Sequence, residues 1–254
     1  MGLKSEERSK EKPRKEGLTM MIDGGITNAG ANEIAKDFGK FIDFSKIAYA
    51  SSRVLGWDFI QRKVKIYEEF KIKVFCGGTT LESFLRDGWA TKEFIELIRG
   101  FGVSWVEVSD GSIDISNKEK IEIIHQLKEE GFKVISEVGT KDQAKDNLLS
   151  TEWWIERIQA EIEAGSRLVI LEARESGKIG IFNKKGYPDE NLIEEIFRKV
   201  DIDKIIFEAP KHHQQAYFIN RFGANVNLGN IKPVDIVALE TLRQGGRADT
   251  FIDK

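Results

Sequence analysis

Four apolar runs in the chain each close on a glutamate: Trp105-Val-Glu107, Val134-Ile-Ser-Glu137, Leu168-Val-Ile-Leu-Glu172 and Ile205-Ile-Phe-Glu208. Gly139 breaks the second run, and Lys141 stands four residues after its acid. Carboxylates and an amine presented together can move protons, and several carboxylates meeting at one mouth repel one another unless a cation lies among them. For an all-oxygen set Mg²⁺ is the natural cation, since it accepts one or two carboxylates and completes its shell with water and substrate oxygens. The alternative for any one of these acids is an ordinary ion pair with a neighbouring Lys or Arg.

An apolar run, an acid, a loop and then an amphipathic helix is the repeating unit of parallel α/β proteins. Strands are expected at 18–23, 41–48, 73–76, 103–108, 132–138, 167–173, 204–209 and 225–228. Helices are expected at 28–38, 57–70, 91–99, 118–130, 151–164, 189–200, 212–222 and 234–243, with Asn117 as one N-cap and Gly131 and Gly165 as stops. Eight strands alternating with eight helices predict an α/β fold, a single (β/α)8 TIM barrel over residues 16–254, preceded by a charged mobile arm at 1–15. Active sites of such barrels lie at the C-terminal ends of the strands. That rule selects Asp23, Lys46, Thr79, Glu107, Ser109, Asp110, Glu137, Lys141, Glu172, Arg174, Glu208, Asn225 and Asn227.

Composition excludes several classes. Hydrophobic residues make up 41% of the 254, with 16 Phe and 5 Trp, enough for a sizeable core. A net charge of −3 announces no basic surface for nucleic acid or an anionic membrane. A single cysteine, Cys76, rules out an internal disulfide and fits a reducing cytoplasm; with no partnered base it reads as a buried small hydrophobe. No apolar run approaches the roughly 18 residues of a membrane span, so a cytoplasmic location is expected. His212 and His213 are adjacent and point apart on a helix, which argues against joint chelation. The Asn225-Val-Asn-Leu-Gly-Asn-Ile231 turn offers backbone N–H groups to an anion, although Asn-Gly pieces also build plain turns.

Taken together, these motifs resemble the phosphosulfolactate synthase family. The pieces that carry the resemblance are Lys12-Pro-Arg-Lys-Glu-Gly-Leu-Thr19, Gly77-Gly-Thr79, Val106-Glu-Val-Ser-Asp-Gly111, Ser136-Glu-Val-Gly139 with Lys141-Asp142, and Glu172-Ala-Arg-Glu175. Phe207-Glu-Ala-Pro210, Gln214-Gln215, the Asn225 to Ile231 stretch, and Leu239-Glu-Thr-Leu-Arg243 with Asp249-Thr250 continue it to the C-terminus. The resemblance implies a Mg²⁺-dependent barrel that adds sulfite to phosphoenolpyruvate, giving (2R)-phospho-3-sulfolactate on the route to coenzyme M or sulfolactate. It also implies a homo-oligomer, a trimer, with the final helix, Trp153 and Trp154 as interface material or as core.

The resemblance puts the general acid at Lys141, with Glu137 and Lys46 as further candidate catalytic groups. Glu107, Glu137 and Glu172 are the candidate metal ligands, directly or through water. Arg174, Asn227, Gly229, Asn230, Thr79 and Ser109 are the candidate substrate contacts. A lysine near a cation and away from bulk water is expected to lose its proton readily. The chain departs from the family pattern after the second strand. Where the family has Lys-x-Gly-Trp-Gly-Thr, this chain has Lys46-Ile-Ala-Tyr-Ala-Ser51, and the added methyl groups crowd a loop that needs close approach or positive φ. Two readings compete: a non-catalytic stress or interaction protein on the same barrel, and a metal-dependent barrel acting on another phosphorylated substrate. Retention of Lys141 and the strand-end acids weighs against the first, and the ordered set of motifs against the second.

Overall fold

A computed structural model describes Arg8 and residues 11–250. Eight parallel strands form its centre: β1 (Thr19–Asp23), β2 (Phe44–Ile47), β3 (Lys73–Cys76), β4 (Trp105–Val108), β5 (Lys133–Val138), β6 (Leu168–Leu171), β7 (Ile205–Glu208) and β8 (Leu228–Ile231). They pair in the order β3-β2-β1-β8-β7-β6-β5-β4, so the sheet curls until β3 and β4 lie side by side and the barrel is nearly closed. Around it run α1 (Asn28–Phe38), α2 (Trp57–Glu69), α3 (Gly78–Arg86), α4 (Thr91–Phe101), α5 (Asn117–Glu129), α6 (Gln143–Asp146), α7 (Thr151–Ala164), α8 (Glu190–Lys199), α9 (His212–Phe222) and α10 (Ile236–Arg243). The expected α/β barrel is the fold observed.

Two-residue alternation along each strand explains the layering. Outward-facing Val74, Val106, Val134, Val169 and Phe207 join the helices in one large core, while Met20, Phe44, Phe75, Trp105, Ile135, Ile170 and Ile206 form a separate plug inside the barrel. Phe44 meets Phe75 and Trp105 edge-on, with ring centroids 6.0 and 5.0 Å apart. Two residues beyond Phe44, Trp105, Ile135, Ile170 and Ile206 come Lys46, Glu107, Glu137, Glu172 and Glu208, all buried. The polar layer therefore rests on the apolar plug, toward the C-terminal ends of the strands. Burying one Phe of that plug contributes about 1.5–3 kcal/mol.

Helix boundaries follow local chemistry. Ser116 caps α5 by accepting from the Glu119 N–H, while Glu119 returns a bond to Ser116; the cap is thus one residue earlier than the expected Asn117. Gly165 ends α7 in the left-handed region at φ 119°. Two elements differ more substantially from expectation. The Gly77 to Thr80 stretch, expected as loop, opens α3, whose apolar Leu81, Phe84 and Leu85 lie at helical spacing. Strand eight begins at Leu228 rather than Asn225, because the 225–227 stretch is occupied in bonding the entry side of the barrel.

Part of the expected mobile arm at 1–15 packs on that entry side. Residues 1–7, 9 and 10 of it lie outside the described residues. Arg8 and Arg14 are buried against Asp43, Arg8 reaches Glu240, and Lys12 donates to the Gly39 carbonyl at 2.8 Å. This part of the segment is held by charge-assisted bonds under the apolar plug.

Candidate active site

Lys46 points into the barrel from β2 and organises the polar layer. Its Nζ lies 3.0 Å from Glu107 Oε1, 2.9 Å from Glu137 Oε2 and 3.6 Å from Glu208 Oε1. Glu107 also closes the seam between β3 and β4, since its Oε1 accepts from the Gly78 N–H at 2.8 Å. Only glycine fits at 78: a Cβ there would stand 2.1 Å from Ser109 Oγ and 2.9 Å from Glu107 Oε1. Beneath β5, the buried Lys120 ammonium bonds Asp110 at 2.8 Å and the Glu137 carbonyl at 2.6 Å, and pairs with Glu161 at 2.7 Å. The end of β5 is thus fixed from behind.

Lys141 sits at the mouth. Its Nζ is 3.2 Å from Glu137 Oε1 and 3.7 Å from both Glu82 Oε1 and Glu172 Oε2. Arg174 adopts a left-handed backbone at φ 55°, which turns its N–H toward Glu172 Oε1 at 2.6 Å and Glu208 Oε2 at 3.2 Å. Its guanidinium donates to the Lys141 carbonyl at 3.0 Å, tying the loops after β5 and β6 together. Asn230, left-handed at φ 57°, directs its amide to Glu208 at 3.3 Å. Lys46, Thr79, Glu137, Lys141, Glu172, Arg174, Glu208 and Asn230 line one cavity of about 270 Å³. A second of about 450 Å³ adjoins it, sharing Lys141 and Ser112.

Five buried carboxylates here (Glu82, Glu107, Glu137, Glu172 and Glu208) face two lysines. Burial favours the neutral form of Glu137, but Lys141 and Lys46 outweigh it and hold this acid well below the ordinary range. Glu172 goes the other way, pushed well up by burial and by repulsion from Glu137 and Glu208. Burial, with Glu137 nearby, pushes Glu107 up to about 7 despite Lys46. Burial would lower both lysines, but the surrounding acids raise Lys46 and Lys141 above the ordinary value. This reverses the expectation of a readily deprotonated Lys141: Glu137, Glu172 and Glu82 hold the proton on it.

The structure separates the expected site residues. It brings Lys46, Glu137, Glu172, Lys141, Thr79, Arg174 and Asn230 to the cavity. Ser109 is not among them; its hydroxyl is buried and bonded to Glu82 at 2.6 Å. Asn227 lies at the opposite end of the barrel, accepting from the Leu18 N–H at 2.9 Å and donating to the Asp203 and Ile205 carbonyls at 3.0 and 3.1 Å. Gly229 packs on Met20, where a Cβ would come within 2.4 Å. Asp23 faces outward to Lys63 and Tyr67, at 2.8 and 3.0 Å. His212 and His213 diverge, to Asp249 and the Gly186 carbonyl. Trp154 is core, and burial pushes the Cys76 thiol up to about 12. Glu82, Tyr49 and Glu175 are site residues the sequence reading missed. The helical spacing of Leu81, Phe84 and Leu85 is the signal that could have found Glu82, but the Gly-Thr-Thr that opens its helix reads as loop; Tyr49 and Glu175 lie on loops and carry no periodic signal.

Among the described residues, no three acids, histidines or cysteines converge into a ready-made metal cage. Lys46 and Lys141 stand between the acids instead, and Glu107 has its Oε1 engaged by Gly78 and Lys46. The donors nonetheless fit Mg²⁺ held by one or two carboxylates. Among the described residues, Glu172 Oε2 is buried beside the cavity without a hydrogen-bond partner, its one cation the Lys141 ammonium at 3.7 Å, and the acids outnumber the lysines.

A parallel barrel with acids, lysines and a cavity at the strand ends defines an enzyme site. Residues 7–249 match the family described as (2R)-phospho-3-sulfolactate synthase (ComA). The chain belongs to that family. It is 42% identical over 236 residues to the phosphosulfolactate synthase of Methanocaldococcus jannaschii, covering 92% of this chain and 94% of that protein. Over 242 residues it is 38% identical to the phosphosulfolactate synthase of Methanothermobacter thermautotrophicus, covering 94% of this chain and 93% of the relative. A crystal structure of 3-hexulose-6-phosphate synthase superposes with a TM-score of 0.57 at 13% identity, over 92% of this chain and 94% of the other, a likeness of fold alone.

Proposed function

We infer that this chain catalyses the addition of sulfite to phosphoenolpyruvate, giving (2R)-phospho-3-sulfolactate. One observation carries the reading: in a member of this family, Lys141 reaches the same cavity as Glu137, Glu172 and Lys46. Sulfite sulfur attacks the methylene carbon of the unsaturated substrate and forms the carbon–sulfur bond. The double-bond electrons move toward the adjacent carbon, and charge spreads into the substrate carboxylate. A proton must then reach that carbon. Lys141, held protonated by its acid neighbours, suits delivery of that proton. Its anchoring to Arg174 through the backbone fixes the direction of approach.

Glu172, with Glu137 or Glu208, would hold Mg²⁺, which when bound supplies Lewis-acid stabilisation of the developing charge. Lys46 keeps Glu137 ionised, and Arg174, Thr79 and Asn230 are the groups for substrate oxygens on the cavity wall. Among the described residues no helix is long and apolar enough to cross a membrane. A cytoplasmic, homo-oligomeric enzyme, a trimer, belongs to the same reading, as does a place on the route to coenzyme M or sulfolactate.

The test is to mix purified protein with Mg²⁺, phosphoenolpyruvate and sulfite and follow the adduct by mass spectrometry, omitting each component in turn. An adduct that forms only in the complete mixture supports the reading, and unreacted phosphoenolpyruvate in that mixture contradicts it.

A further inference from the structure

The loop after β2 carries an unusual feature on the cavity rim. Tyr49 and Ala50 are consecutive non-glycine residues in the left-handed region, at φ 59° and 51°. Residues that size adopt this conformation only where the surroundings enforce it, and such sites cluster where ligands bind. The enforcement comes from the backbone: the Ala48 N–H bonds the Asp23 carbonyl at 2.9 Å, Ser51 bonds Ala48 at 3.0 Å and Arg53 bonds Ala50 at 2.9 Å. The Tyr49 ring packs against Gly24, where a Cβ would come within 2.7 Å of it. Tyr49 is thereby aimed over the cavity it lines, yet remains 52% exposed.

Across the mouth, Glu175, on the loop after β6, is near enough for its charge to act on the Tyr49 hydroxyl. Glu175 is itself exposed and lines the same cavity as Lys46, Arg174 and Asn230. A carboxylate thus faces the one phenol of a rim whose other side-chain donors are the cations of Lys46, Lys141 and Arg174, the Asn230 amide and the Thr79 and Ser112 hydroxyls.

We propose that Tyr49 binds an oxyanion of the substrate, its phosphate or its carboxylate, and that the Glu175 carboxylate facing it across the mouth opposes that anion. This deepens the phosphoenolpyruvate reading and rests on it for the identity of the substrate. The two residues differ in freedom. Tyr49 is fixed by its loop, whereas the exposed Glu175 can swing into water as an anion enters. Burial and the nearby Glu175 and Glu208 push the phenol pKa up, keeping it a donor at neutral pH. As a rim donor, Tyr49 acts on binding rather than on proton transfer.

The experiment measures the affinity of phosphoenolpyruvate, without sulfite, by calorimetry for wild type, Tyr49→Phe and Glu175→Gln, with inorganic phosphate as a second probe. Tyr49→Phe keeps the ring and removes the hydroxyl; it should weaken phosphoenolpyruvate about 10-fold, the scale of one hydrogen bond to a charged group, with an unchanged melting curve. Glu175→Gln should tighten binding, because the competing charge is gone. In steady state, Tyr49→Phe should raise KM for phosphoenolpyruvate and leave kcat within about 3-fold of wild type. Weakening of inorganic phosphate as well assigns the phosphate to Tyr49, and weakening of phosphoenolpyruvate alone assigns the carboxylate. Unchanged affinity in Tyr49→Phe would overturn the proposal, as would Glu175→Gln weakening binding as much as Tyr49→Phe. These affinities are read without turnover, so failure of the sulfite reaction in wild type would be recognised separately.

Discussion

Lys46 on β2 and Glu137 on β5 meet across the barrel interior at 2.9 Å, although 91 residues separate them in the chain. The contact is buried, and the same ammonium serves Glu107 at 3.0 Å. Removing one partner of such a set leaves buried charge uncompensated, at a cost of about 3–5 kcal/mol. Lys46→Met should therefore lower unfolding free energy by that order and abolish turnover, checked by urea denaturation and activity. A variant with wild-type stability would show that the acids neutralise themselves without Lys46.

The seam between β3 and β4 should be as intolerant of added volume. Gly78→Ala places a methyl 2.1 Å from Ser109 Oγ and competes with the Gly78–Glu107 bond. Overpacking of this kind costs about 1–3 kcal/mol. Thermal melting should register the loss, and an unshifted melting temperature would mean that Ser109 and Glu107 relax freely.

The barrel itself was legible in the sequence because each strand is an apolar run with period-two alternation, and each of four runs ends on an acid. Lys46, Glu137, Glu172 and Lys141 were legible for the same reason: strand ends aim residues at the mouth. Asn227 was misplaced because its strand starts three residues later than its composition suggests, which moves the side chain to the opposite end of the barrel. Ser109 follows the strand-end rule, yet its hydroxyl is taken by Glu82, a residue of a helix that opens on Gly-Thr-Thr and so reads as loop. Tyr49 and Glu175 lie on loops, where position depends on backbone turns that carry no periodic signal.

Charge in the acid layer predicts a pH dependence. Glu107 has an ordinary value of 4.5 and is pushed to about 7 in the fold. Between those values the folded protein binds the extra proton, so this group's contribution to stability declines as pH rises from about 4.5 to 7. The stability difference between wild type and Glu107→Gln should fall across that window in urea titrations, and a flat difference would contradict the assignment. Glu172 is also raised, so Mg²⁺ held there as proposed would displace protons on binding. Calorimetry in buffers of different ionisation heat should show proton release at neutral pH, with weaker Mg²⁺ binding as pH falls.

Lys141 is only partly buried and its side chain packs on Gly111, so its removal should spare the fold. Lys141→Ala should lower turnover by roughly 10²-fold, the scale of a lost general acid, while still folding cooperatively. Full activity in this variant would assign the proton to another donor.

The central claim is that sulfite adds to the methylene carbon while one proton is delivered to its neighbour inside the barrel. Running the reaction in deuterium oxide and locating the label by NMR tests both halves at once. The account predicts a product with a carbon–sulfur bond at the former methylene and a single deuterium on the phosphate-bearing carbon. Deuterium in the methylene group, or none on the phosphate-bearing carbon, would contradict it.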